Sequence, residues 1–222
     1  MLIRRLLAPV AGLLVLAVQA TAQDMAPHRA VYEVGAIENG KPTGGSPGTY
    51  AYERKVTCDG YVIYQRLRLE TAGQRSTVVS EQQTQMIESK DGRKLTFEHR
   101  SVAGGKQTSL MKGEATISDD GTGEARFSNP PNQTVALPAG TLFPVAITRA
   151  TIRAAKAGEN GIDARFFFGD KVKPSQQVNA VIGRVPRRLA DVKIPDGAEE
   201  LVDGRSRIYY RAGFFDAEGK GE

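Results

Sequence analysis

Cysteine and histidine, the side chains most often drawn into metal ligation and acid–base work near neutral pH, are scarce in this 222-residue sequence. There is one cysteine, Cys58, and there are two histidines, His28 and His99, far apart in the chain. A metal site draws several such ligands from close spacing, as in His-Glu-x-x-His or Cys-x-x-Cys, and neither motif occurs. A lone histidine on a strand is ordinarily a packed or surface group. His28, beside Pro27 at the head of the first strand, is the better acid–base candidate of the two. Gly44-Gly45-Ser46-Pro47-Gly48 matches the Gly-x-Ser-x-Gly pattern of a serine hydrolase. That nucleophile sits between a strand and a helix, and the N–H of the next residue donates to the oxyanion. Here a loop precedes Ser46, an alternating strand follows, and Pro47 has no N–H to give. The stretch reads as a glycine-rich loop, with hydrolysis at Ser46 kept as an alternative. No such loop opens onto a helix, so no nucleotide cofactor is expected. The sequence assigns no catalytic, metal-binding or cofactor-binding residue.

Two groups of residues suit contact rather than catalysis. Arg184, Arg187, Arg188 and Lys193 form a small basic cluster, read as a solvated loop or as a dock for an acidic partner or anionic headgroups. Phe166, Phe167 and Phe168 are consecutive. Side chains alternate faces along a strand, so Phe167 is expected to cover a second surface, the helix or a groove, with core packing as the main reading and an apolar groove as the alternative. Arg184, Arg187, Arg188 and Phe167 are the candidate interaction residues.

The elements that must position these residues are mostly strands. Tyr61, Ile63, Leu67 and Leu69 alternate with Val62, Tyr64, Arg66, Arg68 and Glu70. This is a strand with one buried and one largely wet face, as in an antiparallel sheet. Cys58-Asp59-Gly60 turns the chain into it. Strands are expected before it at Pro27 to Val34 and Thr49 to Val56. After it they are expected at Gln74 to Ser89, as one twisted strand or two with a bend, around Leu95 to His99, and at Gln107 to Lys112, Glu114 to Ser118 and Glu124 to Ser128. Lys90-Asp91-Gly92-Arg93, Gly104-Gly105 and Asp119-Asp120-Gly121 supply the turns. Asn129-Pro130-Pro131-Asn132 breaks this meander, and the break continues through Pro138 to Thr141. One helix follows at about 144–157, with Thr141 as its cap or Pro144 at its first position, and Gly158 ends it. Strands resume at Ile162 to Phe168, Gln177 to Val185 and Arg207 to Phe215, with a loop from 185 to 204.

Composition places the chain among soluble globular proteins: 40% apolar, 25% charged, 24 glycines and no tryptophan. Arg4 and Arg5, the apolar run Leu6 to Val18, and Ala20-Thr21-Ala22 have the form of a secretory signal peptide cleaved near Ala22. Residues 23–222 are then a single β-rich domain, exported to an oxidising compartment. The net charge of +5 falls to +3 without Arg4 and Arg5, and basic residues are interleaved with acidic ones, which argues against nucleic acid. An odd thiol in such a compartment implies an intermolecular partner, a buried inert group or a missing second cysteine.

Five blocks in order carry a resemblance: Ala26-Pro27-His28-Arg29-Ala30-Val31-Tyr32, Cys58-Asp59-Gly60-Tyr61, Phe143-Pro144, Ala157-Gly158-Glu159 and Ala180-Val181-Ile182-Gly183. Together they resemble the EipB-like cell-envelope integrity family of alphaproteobacteria. The resemblance implies a mostly β fold, with a long, strongly bent antiparallel sheet (a β-spiral, open and barrel-like) holding one helix. It also implies a periplasmic, non-enzymatic binding or scaffold protein that keeps the envelope intact under stress, with a periplasmic tetratricopeptide-repeat protein as partner. A lipid or lipoprotein carrier with an apolar groove is the alternative. In the family a cysteine before the Gly-Tyr pair, here Cys58, bonds a cysteine near the C-terminus. This sequence carries no second cysteine, so it is expected to be either C-terminally truncated or a member lacking that disulfide.

Overall fold

A computed structural model describes residues 25–35, 37–38, 41–42, 47–72, 77–187, 196–197, 199–202, 204 and 206–216. The proposed signal peptide, Ser46, Arg188 and Lys193 lie outside the described residues. Among the described residues, three sheets and one substantial helix make up the fold. The first sheet has eight antiparallel strands: β1 (His28–Val34), β4 (Gly48–Val56), β5 (Gly60–Ala72), β6 (Thr77–Ser89), β7 (Lys94–Ala103), β8 (Lys106–Ile117), β9 (Gly123–Asn129) and β10 (Gln133–Leu137), in that spatial order. A two-stranded ribbon, β2 (Ile37–Glu38) with β3 (Lys41–Pro42), links β1 to β4. The third sheet, ordered β11 (Thr141–Leu142), β12 (Gly161–Phe166), β13 (Gln176–Gly183) and β14 (Tyr209–Phe215), follows the proline-rich break. The helix α1 (Pro144–Lys156) sits between its first two strands in sequence.

The architecture is thus mostly β with one principal helix and a large open antiparallel sheet. Several details differ from the sequence-based expectation. The stretches either side of Gly113 are one strand, β8, and the residue pairing with β9 merely slips between Lys112 and Gly113. A β-bulge absorbs the irregularity that a glycine signals without ending the strand. Residues 133–137 form β10 inside what reads as a break. Within the loop read over 185–204, Glu199–Val202 is a turn of helix.

The central strand β5 alternates as its sequence predicts. Tyr61 and Ile63 are buried, and Leu67 and Leu69 are half-buried on the same face. Cross-strand pairing fixes what shares that inner face. Tyr61 lies beside Glu88 and then Leu95, and Ile63 beside Met86 and then Phe97. Tyr61, Ile63, Met86, Leu95, Phe97, Ala115, Ala125, Phe127 and Leu137 form the sheet's share of the core. Phe143 and Val145 at the start of α1, and Phe167 after β12, complete it. Burial of aromatic and branched side chains here supplies the main stabilising term, about 25 cal/mol per Å² of apolar surface.

Helix α1 begins where Pro144 occupies its first turn, with Phe143 rather than Thr141 in the capping position. Thr141 is occupied elsewhere: its hydroxyl donates to the Pro138 carbonyl at 2.6 Å, which leaves the Ser175 hydroxyl to donate to it at 3.2 Å. Arg153 and Lys156 lie in the last turn, where cations suit the helix C-terminus. Gly158, at φ +76°, ends the helix in a conformation that other residues resist.

Candidate functional site

The helix start has no side-chain cap of its own and no acidic residue in its first turn. A strand residue replaces both. Glu88, 1% exposed, accepts the Val145 N–H at 2.6 Å on Oε2 and the Ala146 N–H at 2.8 Å on Oε1. These are orphan donors that every helix N-terminus must satisfy. Burial pushes the Glu88 carboxyl up to about 7, against the opposing pull of the two N–H groups and the Arg149 charge. Arg149 donates to the Lys90 carbonyl at 2.7 Å, adding a second tie between α1 and the β6–β7 turn.

The two histidines serve comparable ties. The buried His99 has Nδ1 at 2.9 Å from the Thr84 hydroxyl and Nε2 at 2.8 Å from the Phe168 carbonyl. A carbonyl can only accept, so Nε2 carries the proton and Nδ1 accepts from Thr84 in the neutral ring. Burial lowers the pKa of His99, which keeps that form. His28 stacks on Tyr52 with centroids 5.0 Å apart. Its Nδ1 accepts from Arg54 Nη2 at 3.1 Å, and the same nitrogen of Arg54 donates to the Ala26 carbonyl at 2.8 Å. Burial and the Arg54 charge together lower the His28 pKa. Among the described residues, no group of three His, Cys, Asp or Glu side chains is placed to hold a metal.

Beyond the core, the inner face of the eight-stranded sheet continues in rows that the described residues cover only in part, Phe168 closing over His99 at one end. Tyr52, Gln65, Thr84 and His99 form one cross-strand row, and Tyr32, Tyr50, Leu67, Gln82 and Ser101 the next. Tyr32 is 51% exposed; Tyr50, Leu67, Leu69 and Ser101 are half-buried. From β1 to β7 these rows contain no Asp, Glu, Lys or Arg. The outer face of the same strands is the opposite: Arg29, Glu53, Tyr64, Gln85 and Glu98 form one row, and Arg66, Gln83 and Arg100 lie in the next. Arg66 pairs with Glu81 at 2.6 Å there, and a shallow depression of about 380 Å³ lies among Arg29, Glu53, Tyr64, Arg66 and Arg100. One face is built for water and ions; the other offers aromatic rings, leucines, amides and hydroxyls.

The residues singled out from sequence fall in different places. Cys58 is an exposed free thiol in the β4–β5 turn. Arg184 and Arg187 are exposed just past β13. Phe167 requires a correction. It is 2% exposed, with its ring edge-on to Phe97 at 5.8 Å and to Phe143 at 6.4 Å. It leaves the strand after Phe166 and turns into the main core, so it offers no surface to a partner. Pro47 leads directly into β4 rather than a helix, so the strand–turn–helix setting of a nucleophile elbow is absent at that point. Glu88 is the structurally decisive residue that sequence reading passed over. The one signal in the sequence is a carboxylate in phase with Thr84 and Met86 on a strand face that buries.

Comparison with known proteins follows the same lines. The chain is 28% identical over 190 residues to the cell envelope integrity protein EipB of Brucella abortus (strain 2308), an alignment covering 82% of this chain and 64% of that relative. The chain thus spans less than two thirds of the curated relative's length. A crystal structure of a beta-barrel-like protein with a domain of unknown function, also from Brucella abortus, superposes with a TM-score of 0.72 at 21% identity, covering 87% of this chain and 80% of the other. That likeness establishes the fold. The EipB-like family model matches residues 19–222, and the chain belongs to the EipB-like family.

Proposed function

We propose that this protein acts by contact rather than by turnover, as a periplasmic scaffold that maintains the cell envelope under stress. The observation that supports this reading is the contrast between the two faces of β1, β4, β5, β6 and β7. The uncharged inner rows around Tyr32, Tyr50 and Leu67 stay partly open beside a firmly tied core. Exposed apolar area of this kind on a soluble domain ordinarily marks a binding surface. The titratable groups buried nearby, Glu88 and His99, are engaged in holding elements together. The envelope role rests on the relative's name, and the periplasmic address on the signal-like N-terminus. The protein partner in this reading is a periplasmic tetratricopeptide-repeat protein, as the family resemblance implies. A strain lacking the gene should become sensitive to detergents and cell-wall antibiotics, with the protein fractionating to the periplasm of the parent strain. A normal response of the deletion strain to both challenges overturns the reading.

A second reading, a lipid or lipoprotein carrier, is favoured by one specific arrangement. Tyr32, Tyr50, Leu67 and Leu69 lie together on that uncharged face. Native mass spectrometry of protein purified without detergent should then show a co-purified acyl species; a clean apo mass rejects it.

A further inference from the structure

We infer that β1 is a homodimerisation edge, along which two copies of this chain pair antiparallel about a two-fold axis at Val31. Strand β1 ends the eight-stranded sheet, and among the described residues only β4 pairs with it. On its other side the N–H and C=O groups have no strand partner among the described residues. Natural sheets protect such edges with charged side chains, lysine above all, and with proline, bulges or short strands; the two charges of β1, Arg29 and Glu33, are of opposite sign. Residues 28–34, His-Arg-Ala-Val-Tyr-Glu-Val, contain no lysine or proline, and their pairing with β4 runs without a slip. The most exposed large apolar residue among those described is Val31, 68% exposed, at the centre of this strand, with Tyr32 beside it.

The sequence of β1 is complementary to itself. An antiparallel pair centred on Val31 sets Arg29 opposite the second copy's Glu33, and Glu33 opposite its Arg29. Both pairs lie on the outer face with Val31, which meets its own copy at the axis. On the inner face, small Ala30 meets large Tyr32, and His28 meets Val34. Opposite charges facing each other across strands are favourable, and like charges are not. Moving the axis to Ala30 or Tyr32 loses both ion pairs, because Arg29 or Glu33 then faces Val31. An isologous contact of this kind closes at two copies, as most symmetric oligomers do.

The other exposed edges are less suited. Strand β10 is five residues long and lies between Pro131 and Pro138. Strand β14 has Gly213 in its interior, and self-pairing about Ala212 sets Arg211 opposite that glycine rather than a carboxylate.

Sedimentation velocity on the purified protein at tens of micromolar should give the mass of two chains. Arg29→Glu and Glu33→Arg, each placing like charges face to face, should raise the dimer dissociation constant about tenfold. Val31→Lys should abolish the dimer. The charge-swapped double variant R29E/E33R should restore the dimer, which no loss of folding could do, and far-UV circular dichroism reports the fold of each variant. A single-chain mass for the wild-type protein overturns the proposal. So does a dimer that survives both V31K and R29E, or one dissociated only by Ala212→Lys in β14.

Discussion

Glu88 of β6 and Val145 of α1 are 57 residues apart in sequence, yet the Glu88 carboxylate closes on the Val145 N–H at 2.6 Å. With the Ala146 N–H on its other oxygen, this one side chain caps the helix and fastens it to the sheet. Glu88→Ala leaves two buried donors without acceptors and opens a void beneath α1. The expected cost is about 2–4 kcal/mol, measured as a lower urea midpoint at pH 6. A loss under about 0.5 kcal/mol, the ordinary range for a surface substitution, would show that the helix docks without its cap.

The same carboxylate gives stability a pH dependence. The folded pKa of about 7 lies above the ordinary value of 4.5, so the folded state holds this proton more tightly than the unfolded chain. Its contribution is fully present below pH 4.5 and is lost as pH rises through about 7, by up to about 3 kcal/mol. His28 and His99 act with the opposite sign. Their folded pKa values lie below 6.5, so their contribution is present above 6.5 and lost as pH falls below it. Glu88→Gln isolates the first effect. Denaturant titrations from pH 4.5 to 8 should show wild-type stability falling relative to the E88Q variant; parallel curves would place the ionised Glu88 at no disadvantage in the fold.

His99 joins two sheets through both ring nitrogens, from Thr84 on β6 to the Phe168 carbonyl beyond β12. Its ring also lies 4.7 Å from that of Phe168. Removing it in His99→Ala should cost about 2–4 kcal/mol, combining a cavity with an unmet carbonyl. Thr84→Val, which deprives only Nδ1, should cost about 1 kcal/mol. Hydrogen exchange offers a local check. Amides over 166–170 should exchange faster in H99A, and unchanged protection there would mean the aromatic contacts alone hold the segment.

Period-two patterning made most of the large sheet legible, because Tyr61, Ile63, Leu95 and Phe97 bury the faces their alternation predicts. The helix was legible from Pro144, its apolar residues and Gly158. What failed to show were properties of partners rather than of local sequence. Residues 133–137 carry weak alternation and lie between prolines; they become a strand because β9 offers an edge. Phe167 reads as the odd residue of a strand, but the strand ends at Phe166 and frees it to enter the core. The role of Glu88 needs a helix 57 residues away, which no local window contains.

Glycines illustrate the same gap. Gly140 and Gly169 have nearly equal backbone angles, φ +81° and +83°, and both fall outside the strands and helix expected from sequence. A side chain at Gly140 would meet open space, whereas a Cβ at Gly169 would lie 2.6 Å from the ring of buried Phe97. Gly140→Ala should therefore cost only backbone strain, about 1 kcal/mol. Gly169→Ala should cost about 2–4 kcal/mol, since it also displaces a packed ring. Equal losses in thermal or urea unfolding would mean that Phe97 yields freely, contrary to its place at the centre of the core.

The two faces of the sheet make separable predictions about function. Leu67 on the inner face and Arg66 on the outer face are neighbours in one strand, β5. Leu67→Glu puts a charge into the uncharged rows beside Tyr50 and Gln82. Arg66→Glu alters a surface already rich in ions, replacing a surface pair with Glu81, worth about 0.2–1 kcal/mol, by two like charges that can turn apart into water. Leu67 is half-buried, so its replacement should cost about 1–2 kcal/mol and leave the protein folded. If the inner rows are the contact surface, L67E should fail to restore detergent resistance to a deletion strain at normal protein levels, whereas R66E should restore it. The reverse result would move the working surface to the charged outer face, around Arg29, Tyr64 and Arg100.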